Sequence, residues 1–576
     1  MLQLPTVWKP LADDSGVMNS SPGPSSLPAI RTLILRFRSP DGPVWNIQVV
    51  QLNMAGNLTL KVVAGLILLR IIKEYIYSRS LPPGPTRLPL IGNLHQAPSD
   101  TPWVTFKKWA EKYGPIMSVQ FGKDTMIIIS DPAIARELLE KRGSAYADRP
   151  RMVMAGECLT KGMHMLLRPY NERYKLHQRL DAPVLAPRAS QTYHPIQDLE
   201  SKQLVYDFLS SNNFKKIYER YAASLMYSLA YGFRLDTGDE EIMKTAHTVQ
   251  GNFAYAGRVG TWIVDAIPAL NVLPPFLAPW KRTAEKFFQI EKKMHLDNMA
   301  TARASPHWNW TKELSASPES ETMSDLELAY NIGIVSDAGL DTTALQMAMF
   351  TLACLAYPSF ISKAQAELDS VVGPDRLPTF EDRANLPYIN AVVEESLRWR
   401  SIQPGGVPHA ALQEDTYNGY RIPKGALVVP LIWKMALDET SFENPLEFRP
   451  ERWLNTEKTS ADANSRLENF FGYGRRICTG RHIARNSLFL LMARLLWGFN
   501  IKHAIDQDGK RKEVDDMAFT SGFVSAPVPF EAVFEVRSER AREVIEREWE
   551  GAEKDVGVLL DRVKEAQKAV GLNVRA

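Results

Sequence analysis

Long apolar runs with helical spacing dominate the hydrophobic pattern of this chain. The clearest are residues 331–352 and 483–496, each long enough to form a buried helix. Short segments at 407–409 and 417–425 indicate instead a small sheet with a tight turn. The pattern therefore predicts a mainly α fold with small β-sheets.

The C-terminal segment 538–576 carries an amphipathic pattern of its own. Its apolar residues recur in alternating steps of four and three, which is the spacing of a helical seam: Ile545, Trp549, Ala552, Val556, Leu559, Val563, Ala566 and Val570. Gly551 and Gly557 weaken a free coiled coil. We therefore expect a helical tail that docks on the protein's own surface, with dimerisation as the alternative.

The N-terminal part of the chain changes character near Met54. Residues 1–53 are rich in Pro, Ser and Gly without a sustained period, so we predict a disordered segment or an upstream extension. Residues 54–80 are predicted to form a membrane anchor helix, because their apolar part is about as long as a bilayer span. Four charged residues interrupt that part: Lys61, Arg70, Lys73 and Glu74. An amphipathic helix lying in the membrane surface is the alternative.

Two features place the rest of the chain relative to that anchor. Basic residues follow the apolar stretch and predict that the body faces the cytoplasm; they are Arg70, Lys73, Arg79 and Arg87. Residues 81–85, Leu-Pro-Pro-Gly-Pro, have restricted φ angles and few backbone donors, so they form a stiff spacer.

Composition narrows the class of protein. The 576 residues are 45% apolar, and the formal net charge is only +2. No long basic tract interleaves with aromatic residues, so we expect no nucleic acid partner. The three cysteines, Cys158, Cys354 and Cys478, give no disulfide framework and suit a reducing compartment.

The strongest chemical signal is the loop 471–480, F-G-Y-G-R-R-I-C-T-G, which opens into an apolar helix. A cysteine at the start of a helix faces free backbone amides and the positive end of the helix dipole, which favour a thiolate. One thiolate is too few for structural zinc or an iron–sulfur cluster, but it suffices as an axial ligand of haem. The alternative is a surface loop with an inert Cys478.

With this loop the chain resembles the cytochrome P450 superfamily, whose pattern F-x-x-G-x-R-x-C-x-G it matches at every fixed position. The resemblance extends from residue 82 to about 537 and implies a single catalytic domain, 81–537, with the cytochrome P450 fold. It implies haem b as cofactor and Cys478 as the iron ligand. Phe471 and Gly474 are implied to lie against the haem, and Arg476 to bind a propionate.

A second family segment lies in the run 331–352. Ala338, Gly339, Asp341 and Thr342 match the family's A/G-G-x-D/E-T-T pattern, in which small residues make room above the iron. The resemblance assigns Thr342 the hydroxyl beside the dioxygen site and Asp341 the neighbouring acid of a proton relay. Without that context, Asp-Thr-Thr on a helix is often a solvated face.

Two further segments resemble the part of the family fold that supports the cysteine loop. Glu395 and Arg398 share one helix face at i, i+3 spacing, which alone indicates only a weak surface ion pair. Arg452 lies in a Pro-Glu-Arg-Trp segment downstream. The resemblance places these three residues in a buried triad that locks the fold.

Other residues are assigned to the haem edge by the same resemblance. His409 is implied to lie near a propionate, although an ordinary hydrogen-bonded loop histidine is the alternative. Tyr174 occupies the place of the family's usual tryptophan and can still donate a hydrogen bond. Gln178 stands where an arginine is usual, so Lys175 or Arg179 is the candidate replacement for that charge.

The substrate is expected to be hydrophobic. Loop 151–167 corresponds to a family segment that lines the distal pocket and is rich in pliable side chains, namely Met152, Met154, Met163, Met165, Leu166 and Leu167. Lipid contact or plain core packing explains several of them equally well. Segments 253–262 and 519–524 match other substrate-contact regions and are mostly apolar.

The chain has no P-loop and no G-x-G-x-x-G motif, so its electrons come from another protein. The resemblance implies a membrane-bound NADPH-cytochrome P450 reductase that docks near Arg475, Arg476 and Arg481, although these arginines also suit haem binding and solubility. We expect a monomer at the endoplasmic reticulum membrane, with the catalytic domain facing the cytoplasm.

Together these features predict a haem-thiolate monooxygenase that inserts one atom of O2 into a hydrophobic substrate. Residues 221–235 and 273–286 most resemble fungal microsomal members of secondary metabolism, where such enzymes perform tailoring steps. A haem-thiolate isomerase or dehydratase, which needs no dioxygen, is one alternative. A non-enzymatic haem sensor is the other.

Overall fold

The computed structural model describes residues 31–37, 45–51, 58–454, 469–522 and 524–576. The chain divides into two units, Met1–Tyr75 and Ile76–Ala576. Met54, where the anchor segment was predicted to begin, lies outside the described residues. So do Phe523 and the parts of segment 1–53 that flank the two described stretches.

The first unit contains regular structure within the segment for which the sequence predicted none. Strands β1 (Arg31–Phe37) and β2 (Trp45–Gln51) pair antiparallel, with Arg31 opposite Gln51 and Phe37 opposite Trp45. Both strands are rich in β-branched and aromatic residues, which favour strand pairing over disorder. Most of helix α1 (Leu58–Ser80) also belongs to this unit.

Helices form most of the second unit. In chain order they are α2 (Pro102–Tyr113), α3 (Pro132–Ala135), α4 (Glu172–Leu185), α5 (Pro187–Thr192), α6 (His194–Asp207), α7 (Phe214–Tyr231), α8 (Glu241–Ala256), α9 (Ile263–Ala266), α10 (Pro279–Ala304), α11 (Trp310–Ser315), α12 (Asp325–Ala356), α13 (Ser359–Val371), α14 (Pro387–Trp399), α15 (Ile432–Ala436), α16 (Arg481–Gly498), α17 (Glu539–Glu550) and α18 (Val556–Ala569). Two π-helical segments, Arg136–Lys141 and Val153–Leu159, supplement them.

The strands of this unit form small sheets. They are β3 (Ile116–Phe121), β4 (Asp124–Ile129), β5 (His409–Ala410), β6 (Asp415–Tyr417), β7 (Tyr420–Ile422), β8 (Leu427–Pro430), β9 (Phe499–His503) and β10 (Ala532–Val536). One sheet has the order β3-β4-β8-β5, while β6 pairs with β7 and β9 with β10. The prediction of a mainly α fold with small sheets is confirmed.

Helix α12 runs through the core and packs against α7, α10, α14 and α16. Among the described helices it alone is long and apolar enough to cross a membrane, but 67% of its most apolar stretch is buried. It is therefore the core helix of the second unit. Because α16 begins three residues after Cys478 and also packs on α14 and α6, the core carries both motif segments on neighbouring helices.

The C-terminal seam is split between two helices. Helix α17 packs on α6, and α18 packs on α5 and α6. Ile545 of α17 and Leu559 and Val563 of α18 are fully or almost fully buried. The tail thus docks on the protein's own surface, as the seam predicted, with a break between the helices near Gly551.

Candidate active site

The cysteine loop is built on glycine conformations and on a close backbone approach. Gly472 and Gly474 have φ values of +87° and +55°, and a Cβ on Gly474 would lie 2.0 Å from the carbonyl oxygen of Leu139. The amide of Cys478 donates to the carbonyl of Phe471 at 2.8 Å, which closes the turn before α16. These contacts hold Cys478 at the start of the helix, where the sequence predicted it.

The Cys478 side chain is accessible although protein atoms surround it. Burial raises the pKa of its thiol, whereas the amides of Gly480 and Arg481 and the charge of Arg481 lower it. The start of the helix therefore lowers the pKa of Cys478, as the sequence predicted. In the protein without a bound cofactor, the desolvation of the thiol outweighs this effect. A bound metal cation supplies the further positive charge that deprotonates such a thiol.

Arg476 of this loop interacts with a buried arginine and a buried histidine. Arg476 donates to the carbonyls of Ala147 and Arg168, both at 2.7 Å. Arg149 donates to the carbonyl of Pro408 at 2.6 Å, and His409 Nδ1 lies 2.8 Å from the carbonyl of Tyr146.

Arg149, Arg476 and His409 are close enough for charge to act between them. Burial and the charge of Arg476 lower the pKa of Arg149 to about 9, and burial also lowers the pKa of Arg476. Burial and the charge of Arg149 lower the pKa of His409 to about 3, so His409 is neutral at pH 7. A buried guanidinium whose pKa is lowered by a neighbouring guanidinium presents a ready site for an anion.

Arg149 was not singled out in the sequence. A single basic residue ahead of a Met-rich loop is a weak signal, because isolated arginines are common on loops. Its role depends on contacts with Val407 and Pro408, which lie more than two hundred residues away along the chain.

Tyr174 joins this group and Lys175 does not. The Tyr174 ring lies beneath Arg476, with 3.7 Å from Cζ to the ring centroid, and its hydroxyl donates to the carbonyl of Arg475 at 3.3 Å. Gln178 donates to the same carbonyl at 3.1 Å. Lys175 pairs instead with Glu172 at 2.7 Å on the exposed side of α4. Adjacent helical residues point about 100° apart, so Tyr174 and Lys175 face different sides of α4, and the replacement of the missing arginine by Lys175 or Arg179 stays a prediction.

The middle of α12 has an accessible stretch. Ala338 is exposed in this otherwise mostly buried helix, and the Thr342 hydroxyl donates to its carbonyl at 3.0 Å. Burial raises the pKa of Asp341, while the charges of His247 and Lys215 lower it. Asp341 is thus a carboxyl with a raised proton affinity, beside a hydroxyl that can relay a proton.

Gly339 has a structural reason different from the one the resemblance implied. A Cβ at this position would lie 2.6 Å from both Cγ and Sδ of Met226 on α7. The glycine therefore permits close packing of α7 against α12. The side of the helix that Ala338 exposes does not require it.

The triad is assembled as expected. Glu395 is fully buried and pairs with Arg398 at 2.7 Å and Arg452 at 3.0 Å. Trp453 Nε1 donates to the same carboxylate at 2.9 Å, and the backbone amide of Arg449 donates at 2.8 Å. These bonds join α14 to the segment before the cysteine loop.

The Met-rich loop packs beneath the connection between α8 and α10. Val153, Met154 and Leu159 are buried in one apolar cluster with Phe288 of α10 and Ile334 of α12. The amides of Val153 and Met154 both donate to Asp265 Oδ1, at 2.7 and 3.0 Å. Several of the predicted pocket residues therefore serve the core as well.

The donor set fits haem, since one accessible thiol, the buried guanidinium of Arg149 and the half-buried guanidinium of Arg476 match an axial ligand and a pair of propionates. A family model described as Cytochrome P450 matches residues 82–534. The chain belongs to the cytochrome P450 family. This P450 is an enzyme of the monooxygenase class, and its cofactor is haem b.

Fungal proteins resemble this P450 over most of its length. Cytochrome P450 monooxygenase aneD of Aspergillus aculeatus is 40% identical over 87% of this chain and 96% of its own. Cytochrome P450 monooxygenase drtD of Aspergillus calidoustus is 40% identical over 84% of this chain and 92% of its own. Cytochrome P450 monooxygenase FrzL of a Cladobotryum species is 39% identical over the same shares.

Proposed function

We propose that this P450 inserts one atom of dioxygen into a hydrophobic organic substrate, with electrons from an NADPH-cytochrome P450 reductase. The observation that carries the proposal is the accessible stretch of α12, where Ala338 is exposed and Thr342 and Asp341 follow it. A haem isomerase or dehydratase activates no dioxygen, so it does not need an acid and a hydroxyl that deliver protons to bound oxygen. Dioxygen chemistry needs them.

The cofactor is held from two sides. Haem supplies the iron at which dioxygen is activated. Cys478 would ligate the iron through its sulfur, and Arg149 and Arg476 would bind the propionates through charge-assisted hydrogen bonds. Tyr174 supports Arg476 from below, and neutral His409 donates or accepts one hydrogen bond at the same edge. Phe471 and Gly474 shape the loop against the haem.

Two residues of α12, Asp341 and Thr342, transfer the protons. Asp341 holds a proton on its carboxyl over a wider pH range than an exposed aspartate, because burial raises its pKa. The Thr342 hydroxyl, now bonded to the carbonyl of Ala338, accepts that proton and passes its own onward. His247 and Lys215 limit the rise in the Asp341 pKa, so the proton remains transferable.

The substrate pocket is apolar. Met154, Phe288 and Ile334 belong to one buried cluster that joins the Met-rich loop, α10 and α12. Side chains of this kind favour a multi-carbon substrate with few polar groups. Because the relatives are fungal P450 monooxygenases, we assign the reaction to a tailoring step of secondary metabolism.

The reductase and the membrane are assigned to different residues of the protein. Arg475 is exposed in the cysteine loop, and Arg481 follows the loop and donates to the carbonyl of Cys478. These positive charges favour docking of an acidic reductase surface on the cysteine side of the protein. Helix α1 exposes Leu66 and Leu69 by more than half. Apolar exposure of this extent suits membrane attachment, here at the endoplasmic reticulum with the body facing the cytoplasm.

The test begins with the reduced carbon monoxide adduct of the purified protein. Wild type is expected to show a red-shifted Soret band and, with reductase, to consume NADPH and O2 together. Cys478→His should lose the band and turnover, because the thiolate is gone. Thr342→Ala should keep the band and release more reducing equivalents as peroxide.

The outcomes separate the proposal from its rivals. An intact band and intact activity in Cys478→Ser would overturn the ligand assignment. Product formation without NADPH or O2 would identify an isomerase or dehydratase, and ligand-dependent partner binding without turnover would identify a sensor. Comparing metabolites of a strain lacking the gene with those of its parent then identifies the substrate.

A further inference from the structure

A buried histidine lies between two acids on the side of α12 that faces α10. His295 of α10 is completely buried, and within the described part of the chain neither ring nitrogen makes a hydrogen bond. Its Nε2 lies 3.7 Å from Glu291 Oε1 and 3.8 Å from Asp337 Oδ2. These distances permit charge attraction but are too long for direct hydrogen bonds.

Helix α12 is shaped to admit this imidazole. A Cβ at Gly333 would lie 2.1 Å from His295 Nδ1, so no other residue fits at that position without displacing the ring. The Tyr330 ring meets the imidazole edge to face at 4.9 Å, and its hydroxyl donates to Glu291 Oε2 at 3.1 Å. Gly333, although a glycine weakens a helix, thus leaves the space that the buried His295 ring occupies.

Among the residues that the structure describes, no lysine or arginine shifts the pKa of His295 or Asp337. The titratable and charged groups around Glu291, His295 and Asp337 lie on α7, α10, α12 and the Met-rich loop. These neighbours are Tyr227, Tyr231, Glu285, Tyr330, Asp341 and His164. Burial raises the pKa of Asp337 to about 7, with His295 lowering it and Glu291 and Asp341 raising it. Burial opposes the charged form of His295, but Glu291 and Asp337 outweigh that effect and raise its pKa.

Asp337 stands one helical turn before Asp341. Residues at i, i+4 are neighbours on a helix surface, and the charge of Asp341 contributes to the raised pKa of Asp337. The side chains of Asp337 and Glu291 retain 16% and 6% exposure, whereas that of His295 retains none. Asp337 therefore keeps limited access to solvent, Glu291 keeps only a trace, and His295 is sealed.

We propose that Glu291, His295 and Asp337 form a proton-holding site that reprotonates Asp341. This inference rests on the proposed monooxygenase function, in which Asp341 gives up a proton at each turnover. The Asp337 carboxyl transfers one proton to the Asp341 carboxylate. A side-chain movement that closes the 3.8 Å gap then lets the imidazolium of His295 return one proton to Asp337, and His295 regains a proton from Glu291, which takes one from solvent water. Each step moves one proton and no electrons.

Infrared difference spectroscopy tests whether the site holds a proton, and it requires no turnover. The haem-loaded full-length protein is titrated in H2O and D2O, and the C=O band of protonated carboxyls is followed. Asp337→Asn is expected to remove a band that titrates near neutral pH. His295→Gln is expected to move its midpoint upward by about one pH unit, because a neighbouring cation is lost.

Asp181→Asn is the matched control. Asp181 is also buried, and burial raises its pKa to about 7, but it bonds to Asn331 at 2.5 Å and interacts with neither His295 nor Asp341. This variant should remove a different carboxyl band. With reductase and NADPH it should turn over at the wild-type rate, whereas Asp337→Asn should be about tenfold slower or more, with a larger solvent deuterium isotope effect.

The outcomes are separable from those of the proposed function. If wild type shows no red-shifted carbon monoxide band, the proposed function fails, and the infrared titration still decides whether the proton-holding site exists. If the band is present, an Asp337→Asn variant with an unchanged carboxyl spectrum or an unchanged isotope effect overturns the inference. If Asp337→Asn does not bind haem, an unmoved midpoint in His295→Gln overturns it.

Discussion

Several buried acids of this P450 behave differently from surface acids, and Asp181 is the clearest. It lies on α4, is 2% exposed and accepts a hydrogen bond from Asn331. Burial raises its pKa to about 7, although that hydrogen bond acts in the opposite direction. The protonated form is therefore the one the fold prefers, and ionisation costs stability.

Replacing Asp181 with asparagine should reduce the pH dependence of stability. The folded pKa lies above the unfolded value, so the stability due to Asp181 is fully present below about pH 4 and is lost as pH rises through about 7. Asp181→Asn avoids that loss, which is on the order of 1–4 kcal/mol. Tm measured at pH 5 and pH 8 should show the variant gaining more relative to wild type at the higher pH, because only part of the loss has accumulated at pH 5.

Glu172→Gln is the control on the same helix. Glu172 is exposed, and Lys175 lowers the pKa of its carboxyl, so the pH effect has the opposite direction. An equal gain in Tm at both pH values for Asp181→Asn would contradict the ionisation argument and would indicate a packing effect instead.

At the scale of elements, the C-terminal tail is anchored at its very end. Glu313 of α11 is almost completely buried and accepts from Trp308 Nε1 at 3.3 Å. The backbone amides of Arg575 and Ala576 donate to the same carboxylate at 3.0 and 3.2 Å. The last residues of the chain therefore satisfy a charge that would otherwise lie buried with few partners.

Deleting residues 574–576 should destabilise the folded protein by about 1–3 kcal/mol, because the Glu313 carboxylate loses two donors. Denaturant unfolding followed by fluorescence measures the change. In a Glu313→Gln background the same deletion should cost less, since a neutral amide needs fewer donors. Equal costs in the two backgrounds would show that the tail acts through apolar packing alone.

At the scale of the whole molecule, two exposed apolar surfaces stand out. One is α1. The other is the connection between α8 and α10, where Val259, Val272 and Phe276 are 95%, 85% and 75% exposed. Apolar surfaces of this kind mark sites of membrane or protein contact. Each of them, taken by itself, favours our proposal that this P450 attaches to a membrane.

Removing residues 1–75 should leave the reduced carbon monoxide band intact and should not abolish binding to phospholipid vesicles. Adding Val272→Ser and Phe276→Ser should then weaken vesicle binding by roughly tenfold or more, because two inserted side chains are lost. Co-sedimentation measures both effects. Ile505→Ser and Val570→Ser, two exposed apolar positions elsewhere, form the matched control. Equal loss of binding in that control would contradict a specific membrane surface.

Local sequence was sufficient for several parts of this protein. The cysteine loop, the segment around Asp341 and the seam of the tail are short patterns whose geometry depends on nearby glycines and on helical spacing, so they are visible without a fold. The mainly helical architecture follows from the same periodicity. The triad was also predicted, because its three residues lie in two recognisable segments.

The remaining features depend on contacts between distant parts of the chain. Arg149 meets Val407 and Pro408, Gly339 meets Met226, and His295 enters the space left by Gly333. Sequence alone predicted the thiolate ligand of the haem and an acid on the dioxygen side. Only the folded chain brings Arg149 near Arg476 and Asp337 near Asp341, because burial and charge proximity arise when helices pack and have no local pattern.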